Sequence, residues 1–270
     1  MRYISELRFG LPMTYKTGSV VGSYPKPMLV LLFDRHGLEI FDKPMQALAP
    51  VNLAKFCAQP AADIPPVTFI DFSVFKKADL DFRSIGFGPV PDSTGAEAIG
   101  DTINALRKMG SKIPFKTVVL DSLTEMCNVL HEHVGKIGGE KYISDARKWA
   151  GAVGGMSKNI LDRFHLLQAH TVCIAHSEKM TNESGAVIGE EPMMYSKLRE
   201  YLQAMFSQVI YQQHDGKNAT VRVKPFGYVR GLGCKWPHHE KEVLPASFSG
   251  IYGSYNFGEE PLPAEETKQQ

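Results

Sequence analysis

The sequence predicts an α/β fold, with a mostly parallel central sheet flanked by helices, and three observations carry that expectation. Short apolar runs close on a polar residue at Met28–Asp34, at the β-branched Thr117–Asp121 and at His170–His176. Near-continuous apolar strands of this kind belong to parallel sheets covered on both faces. Helical periodicity alternates with them, which is the βαβ pattern. The stretch Gly10-Leu-Pro-Met-Thr-Tyr-Lys16-Thr17-Gly18 follows a strand candidate, at the place where such a fold puts a loop that grips phosphate.

In chain order, Tyr3 to Phe9 alternates enough for a short strand, and Thr17 to Tyr24 is permissive enough for a helical turn or two, although Gly18 and Gly22 lower its propensity. Ser23-Tyr-Pro-Lys-Pro27 is a turn signal before the Met28 strand. Residues 44 to 66 mix a short helix with Pro60, Pro65 and Pro66, and Val67 to Ser73 is a strand that Asp71 interrupts, as an edge strand would allow. Residues 76 to 94 read as a surface loop. From Gly95 to Met109 the residues Ala98, Ile99, Ile103 and Leu106 recur at helical spacing, and Gly110 stands where a C-cap belongs. Further helices are expected over Ser122–Val134, Ser144–Leu167 and Met194–Phe206, with a flexible loop at 135–141 and a mobile, polar loop at Thr181–Glu191. Ser207–Gln212 and Ala219–Pro225, joined by His214-Asp-Gly-Lys-Asn218, make an antiparallel hairpin at the end of the sheet. Residues 1–230 then form one nucleotide-binding domain and 231–270 an extension whose last residues are too polar to order.

The loop carries the chemistry. In the pattern G-x-x-x-x-G-K-[ST], backbone N–H groups cradle phosphates, the lysine reaches the outer phosphates and the hydroxyl binds Mg²⁺. Gly10, Lys16 and Thr17 fall at that spacing, and Tyr15 takes the place of the second glycine. If that place needs a left-handed backbone, the tyrosine costs about 1–2 kcal/mol there. An ordinary strand-to-helix turn can carry the same residues, so the answering acid matters: Thr117-Val-Val-Leu-Asp121 is a buried strand closed by a carboxylate, which can hold the ion's water shell beside Thr17. Asp34 and His176 close their own strands and face the same crevice, where ligands of open parallel sheets gather.

Composition removes other classes. With 30 basic against 29 acidic residues, no global field favours nucleic acid or membrane, so any DNA contact rests on local patches. No run of about 18 apolar residues and no charged-then-apolar leader is present, which points to a cytoplasmic protein without membrane contact. Cys57, Cys127, Cys173 and Cys234 are scattered and read as small hydrophobes in a reducing compartment. His131 and His133 lie about 200° apart around a helix and cannot share a metal.

The ordered series Gly10-x-Pro-x-Thr-x-Lys-Thr17, Ser23-Tyr-Pro-Lys-Pro-x-Leu, Val118-Val-Leu-Asp-Ser122 and Cys173-Ile-Ala-His176 resembles phage P-loop ATPases with a RecA-like core, among them the phage single-strand-annealing and recombination ATPases. The resemblance spans residues 3 to 225. It implies that Gly10, Pro12, Met13, Thr14, Tyr15, Lys16, Thr17 and Gly18 bind ATP, that Thr17 and Asp121 hold Mg²⁺, and that His176 lies near the γ-phosphate. Asp34 takes the acid's place near the attacking water, while a glutamate expected two residues on is His36 here. Arg222, Arg230 or Lys235 would reach the phosphates of a neighbouring subunit in a homo-oligomer. The implied activity is ATP hydrolysis on single-stranded DNA in recombination or replication, with DNA loops at 135–141 and 177–191 and a single-stranded-DNA-binding protein or recombinase as partner. Two alternatives stand beside it: a module that binds nucleotide without hydrolysis and serves assembly or DNA binding, and a small-molecule kinase, which the lack of an arginine-rich lid disfavours.

Overall fold

A computed structural model describes residues 3–34, 45–72, 95–138, 146–194, 196–229, 232–234 and 242–253. In chain order they form β1 (Ser5–Gly10), α1 (Lys16–Ser23), β2 (Met28–Leu32), β3 (Gln46–Ala47), α2 (Leu53–Cys57), β4 (Val67–Asp71), α3 (Gly95–Met109), β5 (Thr117–Asp121), α4 (Leu123–Gly138) and α5 (Ala146–Phe164). There follow β6 (His170–Thr181), β7 (Val187–Pro192), α6 (Ser196–Met205), β8 (Gln208–His214), β9 (Ala219–Arg222), β10 (Gly233–Cys234), β11 (Val243–Pro245) and α7 (Phe248–Tyr252).

The strand order is β11-β9-β8-β1-β6-β5-β2-β4-β3, with β10 on β8 and β7 on β6. From β8 to β3 every neighbour is parallel, whereas β9, β10, β11 and β7 pair antiparallel. The α/β class expected from the sequence is the class observed, with the antiparallel hairpin β8–β9 at the C-terminal end of a mostly parallel sheet. β6 lies between the loop strand β1 and the acid strand β5, so the Lys16 loop and Asp121 open onto one carboxyl edge without being on neighbouring strands.

Period-two alternation sorts side chains onto two covered faces. Leu7, Phe9, Leu29 and Leu31 pack against Ile99, Ile103, Leu130, Leu161 and Leu198 of α3, α4, α5 and α6. Ile4, Val30 and Leu32 point the other way, onto Val20 and Val21 of α1 and Ile251 and Tyr252 of α7. A strand buried on both faces has no polar positions to spare, which is why Met28–Leu32 reads as an unbroken apolar run.

Several expectations need correction. Thr181–Glu191 is no loop: β6 runs on to Thr181 and pairs with β7, around a turn in which Asn182 Oδ1 accepts the Ser184 and Ala186 N–H groups. Its composition misleads because this ribbon leaves the main sheet after His176 and carries polar side chains toward solvent. Part of the loop expected at 135–141 is helix, since α4 continues to Gly138, and residues 139–141 lie outside the described residues. Asp71 is not on an edge strand; it ends β4 in register with Leu32, and the two-residue β3, which the sequence did not announce, lies beyond. Gly110 does take the left-handed conformation of a C-cap, with φ 53°. Cys127 and Cys173 are buried, as expected, and Cys57 is partly so. The 76–94 segment lies outside the described residues. Beyond residue 231, β10 and β11 join the sheet and α7 packs on its α1 face. Among the described residues no helix is long and apolar enough to cross a membrane.

The start of β6 gives a pH-dependent term. His170 is buried, its Nδ1 accepts the Ile4 backbone N–H at 3.2 Å, and burial pushes its pKa down to about 4. A depressed pKa stabilises the fold above the ordinary histidine value of 6.5, and that contribution is lost as pH falls through about 4. The wild-type melting temperature should therefore drop over this window, and His170→Gln should flatten that part of the curve. Equal slopes for the two proteins would refute the assignment.

Candidate functional site

The loop begins where two backbones meet. A Cβ on Gly10 would lie 2.3 Å from the Gln212 carbonyl oxygen of β8, so only glycine fits there. The chain then turns with Met13 and Tyr15 both at φ 61°. Tyr15 thus adopts the left-handed backbone that the second glycine of the motif would supply, and α1 starts at the next residue. The Thr14 hydroxyl donates to the Leu11 carbonyl at 2.9 Å, and Gln212 Nε2 donates to the Thr14 carbonyl at 2.6 Å, fixing the bend from inside and from below.

Lys16 is buried at the head of α1. Its ammonium donates to the carbonyls of Gly10 at 3.0 Å and Leu11 at 2.7 Å and to Thr14 Oγ1 at 3.3 Å. Burial pulls its pKa down to about 8, against the opposing pull of the Asp121 carboxylate. One residue on, the Thr17 hydroxyl donates to Asp121 Oδ2 at 2.7 Å across 104 residues of sequence. Burial raises the Asp121 pKa to about 6, with the Thr17 hydrogen bond acting the other way and the Asp34 charge adding to the rise. A lysine, a hydroxyl and a carboxylate thus converge at the head of one helix, whose N-terminal N–H groups favour anions.

Next to them, His176 Nε2 stands 3.9 Å from Asp34 Oδ2, both side chains being about one quarter exposed. His176 Nδ1 is buried with no hydrogen-bond partner among the described residues. The Thr124 hydroxyl fixes this corner by accepting the His176 N–H at 3.0 Å and donating to the Met193 carbonyl at 3.0 Å.

Beneath the loop lies a charged cluster that the sequence reading missed. Glu6 and Arg8 sit on one face of β1, fully buried and paired at 2.8 Å. Glu6 Oε2 also accepts the hydroxyls of Tyr24 and Tyr252, each at 2.5 Å. Arg8 donates to Tyr24, Gln212, Ser19 and the Ala246 carbonyl. Gln212 then carries the network up to the loop through Thr14. The available signal was two opposite charges at i and i+2 in a strand that both neighbours must cover.

No protein-family model matches this chain, and no curated protein matches it. Among solved structures, a KaiC-like protein from the hyperthermophilic archaeon Pyrococcus horikoshii OT3 matches at 10% identity and a TM-score of 0.39, covering 90% of this chain and 84% of that one.

Of the residues singled out from sequence, the structure gathers Gly10, Thr14, Lys16, Thr17, Asp121, Asp34 and His176 at one edge of the sheet. Pro12 and Met13 form the tip of the loop, with Met13 almost wholly exposed. Gly18 lies under the Tyr15 ring. Arg222 is engaged within its own chain, over the Phe226 ring at 4.2 Å with Nε donating to Gln213. His36, Arg230 and Lys235 lie outside the described residues.

Among the described residues no group of three or more His, Cys, Asp or Glu side chains could hold a metal ion. Mg²⁺ takes one or two protein oxygens and completes its shell with water and phosphate. The Thr17 hydroxyl beside the Asp121 carboxylate is such an oxygen pair.

Proposed function

We propose that the chain binds a nucleoside triphosphate, ATP in the first instance, with Mg²⁺ at Gly10–Gly18 and hydrolyses it. The observation that carries this reading is the Thr17 to Asp121 hydrogen bond beside the buried Lys16. Lys16 would exchange the loop carbonyls for phosphate oxygens, and α1 would present its free N–H groups to the same anion. Thr17 and Asp121 would hold Mg²⁺, which when bound neutralises charge on the outer phosphates. Asp34 would orient the attacking water, and His176, at 3.9 Å from it, would stand by the outer phosphate.

We place the activity, as the motif order suggests, in phage recombination or replication on single-stranded DNA. Assembly into an oligomer would bring an arginine such as Arg230 to a neighbour's phosphates, and a single-stranded-DNA-binding protein or recombinase would be the partner. The β6–β7 ribbon leaving the carboxyl edge beside His176 is the surface offered for the DNA.

Lys16→Ala should remove a charge-assisted contact worth about 1.5–3 kcal/mol and weaken Mg²⁺-ATP binding at least tenfold in titration calorimetry. Unchanged affinity would place the nucleotide elsewhere. The companion measurement is phosphate release with and without single-stranded DNA. Stimulation supports the recombination reading. Binding with no turnover under either condition favours the non-hydrolysing module.

A further inference from the structure

A cleft of about 810 Å³ opens beside the loop, between α1, the β8–β9 turn and the chain around Ser247; Tyr15, Gly18, Ser19, His214, Asn218 and Ser247 are among its walls. Its position follows from the strand order. Thr17 leans toward β5, where it meets Asp121, whereas Ser19 leans toward β8, where its hydroxyl donates to Gln212 at 3.0 Å. A triphosphate with its outer end at Lys16 and Thr17 that continues past Gly18 and Ser19 therefore arrives in this cleft.

The walls suit an aromatic heterocycle on a sugar better than a second anion. They hold two fully charged side chains, Asp215 and Lys217, of opposite sign, and Asp215 Oδ1 is already used by the Lys217 and Asn218 N–H groups. Two rings face the opening. Tyr15 and His214 lie with centroids 6.4 Å apart at 50°, and Tyr15 is 47% exposed.

Tyr15 is also the residue whose presence most needs a reason. It stands in a left-handed position where glycine is unstrained. Its ring rests against the backbone of Gly18, where a Cβ would come within 2.4 Å of ring atoms. Ring and glycine thus lie against each other in the wall of the cleft.

We propose that this cleft is the nucleoside subsite and that Tyr15 is the platform on which the base stacks. The proposal rests on the triphosphate reading above, and the test separates the two. Mg²⁺-ATP and Mg²⁺ with inorganic tripolyphosphate are titrated into the wild type, Tyr15→Gly, Tyr15→Phe and Lys16→Ala.

Loss of a stacked base is worth on the order of tenfold or more in affinity. Tyr15→Gly, which relaxes the loop backbone, should weaken ATP by about that factor more than it weakens tripolyphosphate, and Tyr15→Phe should bind both like wild type. If Tyr15→Gly weakens neither ligand, or both alike, the platform is wrong. If tripolyphosphate binds, depends on Lys16 and matches ATP in affinity, the phosphate site stands and the nucleoside subsite falls. If the wild type binds neither, both readings fall.

Discussion

Asp121→Asn should lower steady-state phosphate release by two to three powers of ten and leave the fold as stable as before, or more so. The first half follows from charge. The carboxylate and Thr17 are the oxygen pair offered to Mg²⁺, and loss of metal stabilisation of the transition state amounts to several kcal/mol, at about 1.4 kcal/mol for each tenfold. The second half follows from burial, which raises the Asp121 pKa to about 6. A carboxyl pKa raised on folding means that the stabilising contribution is complete below about pH 4 and is lost as pH rises through 6. At pH 7 the ionised side chain therefore costs stability, and a neutral amide of the same shape removes that cost. Phosphate release and thermal melting at pH 7 to 8 read the two halves separately. Equal turnover in the variant would assign hydrolysis to another site or another protein, and a large drop in melting temperature would mean that the carboxylate braces the fold.

Arg8→Met should be the most damaging change away from the site, at about 3–5 kcal/mol. It leaves Glu6 charged and fully buried, with only two tyrosine hydroxyls for company. Ser19, Gln212 and the Ala246 carbonyl each lose a partner as well. Removing both charges in Glu6→Gln with Arg8→Met should recover part of the loss, because the larger share is the penalty of one uncompensated charge. Equilibrium denaturation in urea measures this through the shift in midpoint. A loss under about 1 kcal/mol for the single variant would show that water or a rearranged neighbour compensates Glu6.

What was legible in the sequence was local. The run Thr117-Val-Val-Leu-Asp121 needs no partner to read as a buried strand with an acid at its end, and motif spacing alone suggested that Thr17 would answer Asp121, which the 2.7 Å contact realises. Tyr15 was legible as a departure, and its backbone shows the departure to be one of side chain and not of conformation. What stayed hidden was non-local or solvated. Glu178, Lys179, Glu190 and Glu191 give the β6–β7 ribbon the composition of a loop, and only the pairing makes it a sheet. β3 and β10 are two residues long, below any period a pattern can reveal. The Glu6 and Arg8 cluster draws Gln212, Ala246 and Tyr252 from the far end of the chain, and no spacing rule links a strand at residue 6 to a phenol 246 residues away.

That last distance has a meaning for how the molecule is made. On the ribosome the acid at position 6 appears well before the hydroxyl of Tyr252, 246 residues further along the chain. Until the tyrosine has cleared the exit tunnel, the strand under the phosphate loop holds a carboxylate short of a donor and an arginine short of the Ala246 carbonyl. The nascent chain can build most of its parallel sheet before that, yet the floor of its site closes only once the α7 segment has emerged. A growing chain in which Tyr252 has yet to emerge should therefore bind nucleotide poorly.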